Sequence, residues 1–379
     1  MHDLKTSLPI QNPGGEGRRF YELDSMRGIA ALVVLGNHFR NMFYPNATFL
    51  HGWQSVFLYP LVSGRESVMF FFLLSGFVLA LPFFRGSNPP YFVFVCRRIL
   101  RIYGPYLGAL ALAVSGCAIW HGQLGNVGRF SGAWGSAVDA HSLFQHILFL
   151  GDYNYYRYNT AFWSLVYEMR ISLIFPLLFW FAIILRTRYS LFLVLILTLA
   201  GVQMSHSQLL VTLAYAAIFL VGILVAKNRD TLGGVYRNSA VWPRYLLALA
   251  SIALYDQGHK ISNLGLLWHL GDTPVVIGAA GIIIVGLNST TAKRILNSSA
   301  PAFLGRISYS LYLVHGTVLF AMAAIIGGKV NHLIFSFLYF PTAIFLSWGF
   351  YVAVERPFML WSRSVGRRKA IPTVDPTVA

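Results

Sequence analysis

Arg27 and His38 stand in one apolar run, eleven residues apart. If the run is a helix, the two side chains fall within about 20° of each other and about 16 Å apart along the axis. Ionisable groups are costly in a lipid-spanning segment and persist there mainly at sites of function. Imidazole is the usual general base near neutral pH, so His38 is a candidate catalytic base, with Arg27 as a cation at the helix entrance. The structural alternative for His38 is a packing histidine bonded to a neighbouring carbonyl. Asp24, one turn before Arg27, is placed to pair with it.

Three further groupings carry chemistry. Arg97, Arg98 and Arg101 cluster before an apolar run, and Arg98 and Arg101 project from one helical face. Guanidinium groups so arranged suit phosphates, as in a coenzyme A thioester, although from charge alone cytoplasmic loop charge facing lipid headgroups is the simpler account. In Trp163-Ser164-Leu165-Val166-Tyr167-Glu168-Met169-Arg170, Ser164 and Glu168 share a face, as do Tyr167 and Arg170. The open roles for this group are glycan binding, orientation of a catalytic histidine, or an inter-helix salt bridge, and Trp163 also fits an interfacial anchor. Ser308, Tyr312 and His315 form a polar stripe at helical spacing, so His315 either assists His38 or bonds a tyrosine hydroxyl. Ser75, before Gly76, reads as a close helix-packing position. No nucleophile elbow, Walker loop or dinucleotide glycine pattern is visible. Cys96 and Cys117 have no ligand spacing, and His141 and His146 are five apart, so no metal is expected.

The elements that must hold these residues are membrane helices. The chain has 379 residues, 56% hydrophobic and 11% charged, with a formal charge of +16. Recurrent apolar runs of near-spanning length predict an all-α polytopic membrane protein, and the positive charge reads as loop charge rather than nucleic-acid binding. About ten spans are expected: 23–44, 67–84, 102–120, 161–185, 189–204, 209–226, 245–254, 273–287, 303–326 and 333–354. The stretch 143–150, in the long loop 121–160, is too short to cross. Residues 1–19 read as a disordered cytoplasmic tail without a cleavable signal, 20–360 as one transmembrane domain with its clearest internal break at 227–243, and 361–379 as a basic cytoplasmic tail. With both termini inside, the outer segments hold only Arg65, Arg129, Arg157, Lys260 and Lys329, whereas the inner ones hold most of the Lys and Arg.

In order, these segments resemble the acyltransferase-3 family of integral membrane acyltransferases, the type that O-acetylates surface polysaccharide, lipopolysaccharide O-antigen or nodulation oligosaccharides. The resemblance rests on Asp24-Ser25-Met26-Arg27-Gly28 with His38, Phe71-Phe72-Leu73-Leu74-Ser75-Gly76-Phe77, and Arg97-Arg98-Ile99-Leu100-Arg101-Ile102-Tyr103-Gly104-Pro105-Tyr106. It continues through Trp163–Glu168, Ser308–His315 and Glu355-Arg356-Pro357. It implies transfer of an acyl group, usually acetyl, from cytoplasmic acyl-CoA as cosubstrate to a carbohydrate hydroxyl, without a tightly bound cofactor. Arg27 and His38 match the family's arginine–histidine motif, and Arg98 and Arg101 its RxxR motif for the donor. The resemblance also implies the bacterial inner membrane, a glycan or glycolipid acceptor, lipid contact and a possible polysaccharide-assembly partner protein.

The opening departs from the usual Asp-Gly-Leu-Arg-Gly but keeps its charges. The fused extracytoplasmic hydrolase-like domain of some members is not seen, so the handover is expected within the membrane unit or with a partner. On this reading His38, Arg27 and Glu168 are catalytic, and Arg97, Arg98 and Arg101 bind the donor. Trp163, Ser164, Tyr167, Tyr312 and His315 then support the acceptor, with Glu168 and Tyr167 approaching from the outer side. A covalent acyl-histidine relay fits the same residues. The rival from another class is a transporter or flippase for a lipid-linked sugar or small acid.

Overall fold

A computed structural model describes residues 20–46, 59–125, 127–130, 132–149, 153–204, 206–262 and 270–366. The expected tail at 1–19 and residues 367–379 of the one expected at 361–379 lie outside the described residues, while 361–364 close the last helix; among the described residues there is no strand. The first helix is α1 (Tyr21–Phe43), followed by α2 (Gly64–Phe84). Next comes a rod made of α3 (Tyr91–Arg98), a π turn (Ile99–Tyr103) and α4 (Gly104–Trp120), then the short α5 (Ala140–Leu148). The middle of the chain forms α6 (Phe162–Ile184), α7 (Thr187–Gln203), α8 (Val211–Lys227), α9 (Arg229–Asn238), α10 (Val241–Ser262), α11 (Thr273–Asn288) and α12 (Thr290–Leu296). The last part is α13 (Ser299–Ile326), α14 (His332–Phe350), a second π turn (Tyr351–Glu355) and α15 (Arg356–Ser364).

This is a polytopic, all-helical membrane protein. Five helical stretches are long and apolar enough to cross a bilayer, and seven are if the bent pairs α8–α9 (63°) and α11–α12 (91°) each count as one span. The other helices at expected span positions have physical reasons for falling outside that set. The α1 helix carries Glu22, Asp24, Arg27 and Arg40, α7 has only 17 residues, and α10 carries Arg244, Asp256 and Lys260. Two expectations are corrected. The seventh stretch is not the short 245–254 but the 22-residue α10. Much of the expected break at 227–243 is the helix α9, whose Arg237 bonds Asn288 at the end of α11 (2.8 Å).

The hub is α13, against which α1, α4 and α14 pack and to which α6 is joined through Ser164 and Tyr312. The α1 and α13 helices run parallel, with Gly28 against Leu304 and Gly305 at one end and His38 against His315 further along. A Cβ at Gly28 would lie 2.4 Å from the backbone nitrogen of Gly305, so only glycine permits this approach. A second such crossing joins α2 to α8, where a Cβ at Gly76 would strike the Phe219 carbonyl. The α6 helix runs antiparallel to α13, which places Ser164 on Tyr312. The return helix α14 brings Tyr339 to the His315 carbonyl (3.4 Å), and the following π turn brings Glu355 to Ser310. His38 of α1 and Ser164 of α6 thus both find partners on one shared helix, α13.

Candidate active site

One wall of the site begins at the α3–α4 rod. The π turn between Arg98 and Gly104 interrupts the α-helical ladder, a distortion that often marks functional positions. Tyr309 satisfies one of its carbonyls by donating to Ile102 (2.7 Å). Arg98, Arg101 and Arg27 converge here on a cavity of about 100 Å³, whose other lining includes Ser75, Glu168 and Tyr312. The three arginines differ in surroundings. Arg98 is buried, lies 3.5 Å from Glu168, and donates to Ser172 Oγ through Nε (3.3 Å) and Nη2 (3.1 Å). Arg27 is half-buried and Arg101 exposed.

Glu168 therefore groups with the arginines and not with Tyr167 and Trp163. Its carboxylate faces the arginine cavity and also accepts from Ser75 (3.1 Å), because α6 runs back along α13 and turns that face inward. Of the roles left open for this group, the inter-helix salt bridge is present, with Arg98 as its cation. Ser75 takes part in this network, while its neighbour Gly76 makes the close packing contact. Arg97 points elsewhere: its Nε and Nη2 donate to the Val365 carbonyl (3.1 and 2.9 Å), fastening the end of α15. Tyr167 and Trp163 sit in an aromatic cluster with Tyr215, outside the cavity lining. Arg170 lies over the Tyr167 ring and donates to the Gln208 and Phe149 carbonyls.

From the cavity a polar line runs up α13. Ser308 and Tyr312 line the cavity, Tyr312 Oη lies 2.7 Å from Ser164 Oγ, and the Tyr312 ring is 5.9 Å from that of His315. His315 is fully buried, and its Nε2 lies 2.8 Å from Nδ1 of His38. The two imidazoles are stacked at 4.9 Å, and Phe130 meets the His38 ring edge-on at 5.5 Å. His38 itself is half-buried, and its Nε2 has no hydrogen-bond partner among the described residues.

Sequence reasoning missed Thr160, whose Oγ1 lies 2.9 Å from His38 Nδ1. The loop bearing it docks on α13 through Asn159, which donates to the Leu313 carbonyl (2.9 Å) and to Thr317 Oγ1 (3.0 Å). Gly316 permits that docking, since a Cβ there would lie 2.5 Å from Asn159 Oδ1. Single hydroxyls and amides in loops leave no periodic signal, so only the fold shows them. A larger cavity, about 360 Å³, lies on the opposite side of α1 between α10, α11 and α12; its lining is apolar apart from Ser67, Ser251 and the Tyr255 hydroxyl, with no charge to do chemistry. Among the described residues no group of three His, Cys, Asp or Glu is arranged to hold a metal ion.

A comparison with protein families matches residues 20–352 to the acyltransferase-3 model, described as an acyltransferase domain. The chain belongs to the acyltransferase-3 family. The match spans the arginine cavity and both histidines, and it decides between the two classes of function in favour of a membrane acyltransferase. No curated protein and no solved structure gives a significant match. In this acyltransferase the residues that meet are Arg27, Arg98, Arg101, Glu168, Ser164 and Tyr312 around the cavity, with His38 and His315 beyond it.

Proposed function

We propose that this acyltransferase moves an acyl group, most simply acetyl, from cytoplasmic acyl-CoA to a carbohydrate hydroxyl, with His38 as general base. The observation that carries this reading is the polar line from the three arginines, past Ser164 and Tyr312, to the paired histidines. A cavity of about 100 Å³ is small beside the ~300–1,000 Å³ that drug-sized ligands fill. The pantetheine arm of the donor would enter it only as the lining side chains give way, while the nucleotide phosphates stay at the exposed mouth with Arg101 and Arg27. Arg98, already held by Glu168 and Ser172, adds fixed positive charge behind them. The charge pattern supports a cytoplasmic mouth at the arginine end, so the acceptor would reach His38 from the opposite side.

In the reaction, the acceptor oxygen attacks the thioester carbonyl as His38 Nε2 takes its proton. The new C–O bond forms, the C–S bond breaks, and the thiolate leaves and takes that proton back from His38 as free CoA. The Tyr312 hydroxyl, bonded to Ser164, stands beside the route as a donor for the developing oxyanion. Aromatic side chains such as Trp163, Tyr156 and Tyr215 offer stacking faces for sugar rings.

The test is purified protein in detergent with acetyl-CoA and a panel of glycan acceptors. Free CoA released only when an acceptor is present, with a matching mass increase on that acceptor, is the expected result. A protein that consumes no acyl-CoA with any glycan acceptor contradicts the proposal. Incubation with labelled donor alone separates direct transfer from an acyl-histidine relay, and direct transfer leaves the protein unlabelled.

A further inference from the structure

The hydrogen bonds through the two imidazoles have one consistent direction. The carbonyl oxygen of Leu311 can only accept, so the His315 nitrogen 2.9 Å from it, Nδ1, carries a hydrogen. A neutral His315 then presents a bare Nε2 toward His38. The atom facing it at 2.8 Å is Nδ1 of His38, and two lone pairs at that distance repel. His38 Nδ1 must therefore carry the hydrogen and donate it. Thr160 Oγ1, 2.9 Å from the same nitrogen, fits as a second acceptor of that hydrogen. A doubly protonated His315 would reverse the sense. Yet its ring is fully buried, and its ring-nitrogen partners are the Leu311 carbonyl and the His38 imidazole, so no carboxylate compensates a cation there.

We propose that His315 is a positioning residue that fixes the tautomer of His38, holding the hydrogen on Nδ1 and leaving Nε2 as the bare, basic nitrogen. A free imidazole prefers the opposite tautomer, with hydrogen on Nε2, which cannot accept a proton at that atom. The fold overrides this preference by anchoring His315 to its own helix and presenting its Nε2 across the α1–α13 contact. In the Ser-His-Asp triad an acid performs the equivalent service, and its replacement by an amide, which selects the wrong tautomer, lowers kcat about 10⁴-fold. Here a second neutral imidazole does so without placing a carboxylate at this depth. The tautomer follows from the geometry alone; its catalytic consequence rests on the acyl-transfer reading.

The experiment joins two readouts. Nitrogen-15 spectra of histidine-labelled wild type, assigned with His38→Gln, should show His38 protonated at Nδ1 and bare at Nε2. His315→Gln presents an amide oxygen near the position of Nε2 and should keep kcat within about tenfold. His315→Asn stops short of His38, and His315→Leu offers no acceptor. Both should lower kcat about 10²–10⁴-fold with donor KM little changed, and should move the His38 hydrogen to Nε2. A wild-type His38 protonated at Nε2, or a His315→Leu protein with undiminished kcat, overturns the proposal. Full activity in His38→Ala would instead overturn the role of His38 as general base and leave the measured tautomer standing.

Discussion

Replacing Arg97, Arg98 and Arg101 one at a time should separate three roles that their shared segment conceals. Arg101→Ala removes an exposed cation at the cavity mouth and should raise donor KM about tenfold to a hundredfold with kcat nearly unchanged, read from CoA-release kinetics. Arg97→Ala should leave donor KM unchanged, because its partner is the Val365 carbonyl and not the cavity. Removing the acid opposite Arg98 acts on stability. Glu168→Ala leaves the buried guanidinium without its carboxylate and should cost about 2–3 kcal/mol in detergent unfolding, less than the ~3–5 of a fully buried pair, because the Glu168 side chain keeps 21% exposure. At this scale the sequence displayed the ionisable residues well, since charges in apolar runs are conspicuous. It concealed their pairing. Arg98 meets Glu168, and His38 meets His315, across long stretches of chain that no local spacing spans. The hydroxyls of Thr160, Ser75 and Ser172 were illegible as partners for the same reason.

The contacts that set these distances belong to helices. Gly28→Val should push α1 from α13, with an overpacking cost of about 1–3 kcal/mol and a large loss of activity, because His38 and His315 lie further along the same two helices. A thermal unfolding curve read beside the rate checks both effects. The short α5 offers a pH test outside the spans. Burial between the Tyr153 and Tyr158 rings holds the His146 imidazole below the ordinary histidine range. A histidine so depressed favours the neutral form, so its stabilisation is present above about pH 6.5 and falls as the unfolded state gains a proton below it. Hydrogen exchange over residues 140–148 should accelerate as the pH drops from 7 to 5, and His146→Phe should flatten that response. Helix positions were largely legible from hydropathy. The two π turns were not, because a single extra residue in a turn leaves the apolar pattern almost intact.

For the whole molecule, the expected order of crossings places the first and ninth spans parallel, and α1 and α13 are parallel, meeting at Gly28 and Gly305. Expected second and sixth spans likewise correspond to α2 and α8, parallel through Phe72 on Tyr215 and Gly76 on Phe219. Alternation of apolar runs is enough to fix such relative directions, whereas which helices touch depends on small residues and on pairing across the whole chain. The hub position of α13 was invisible for that reason. Its consequence is a site whose two ends are joined by one helix, the arginine cavity at Ser308 and the imidazole pair at His315. The central claim is that His38 accepts the acceptor's proton during acyl transfer, and the most direct test is CoA release by wild type and His38→Ala, purified to equal amount and equal thermal stability. The account predicts acceptor-dependent release by wild type and a rate about 10²–10⁴-fold lower for the variant, with donor binding preserved. A His38→Ala protein that releases CoA at the wild-type rate would contradict it.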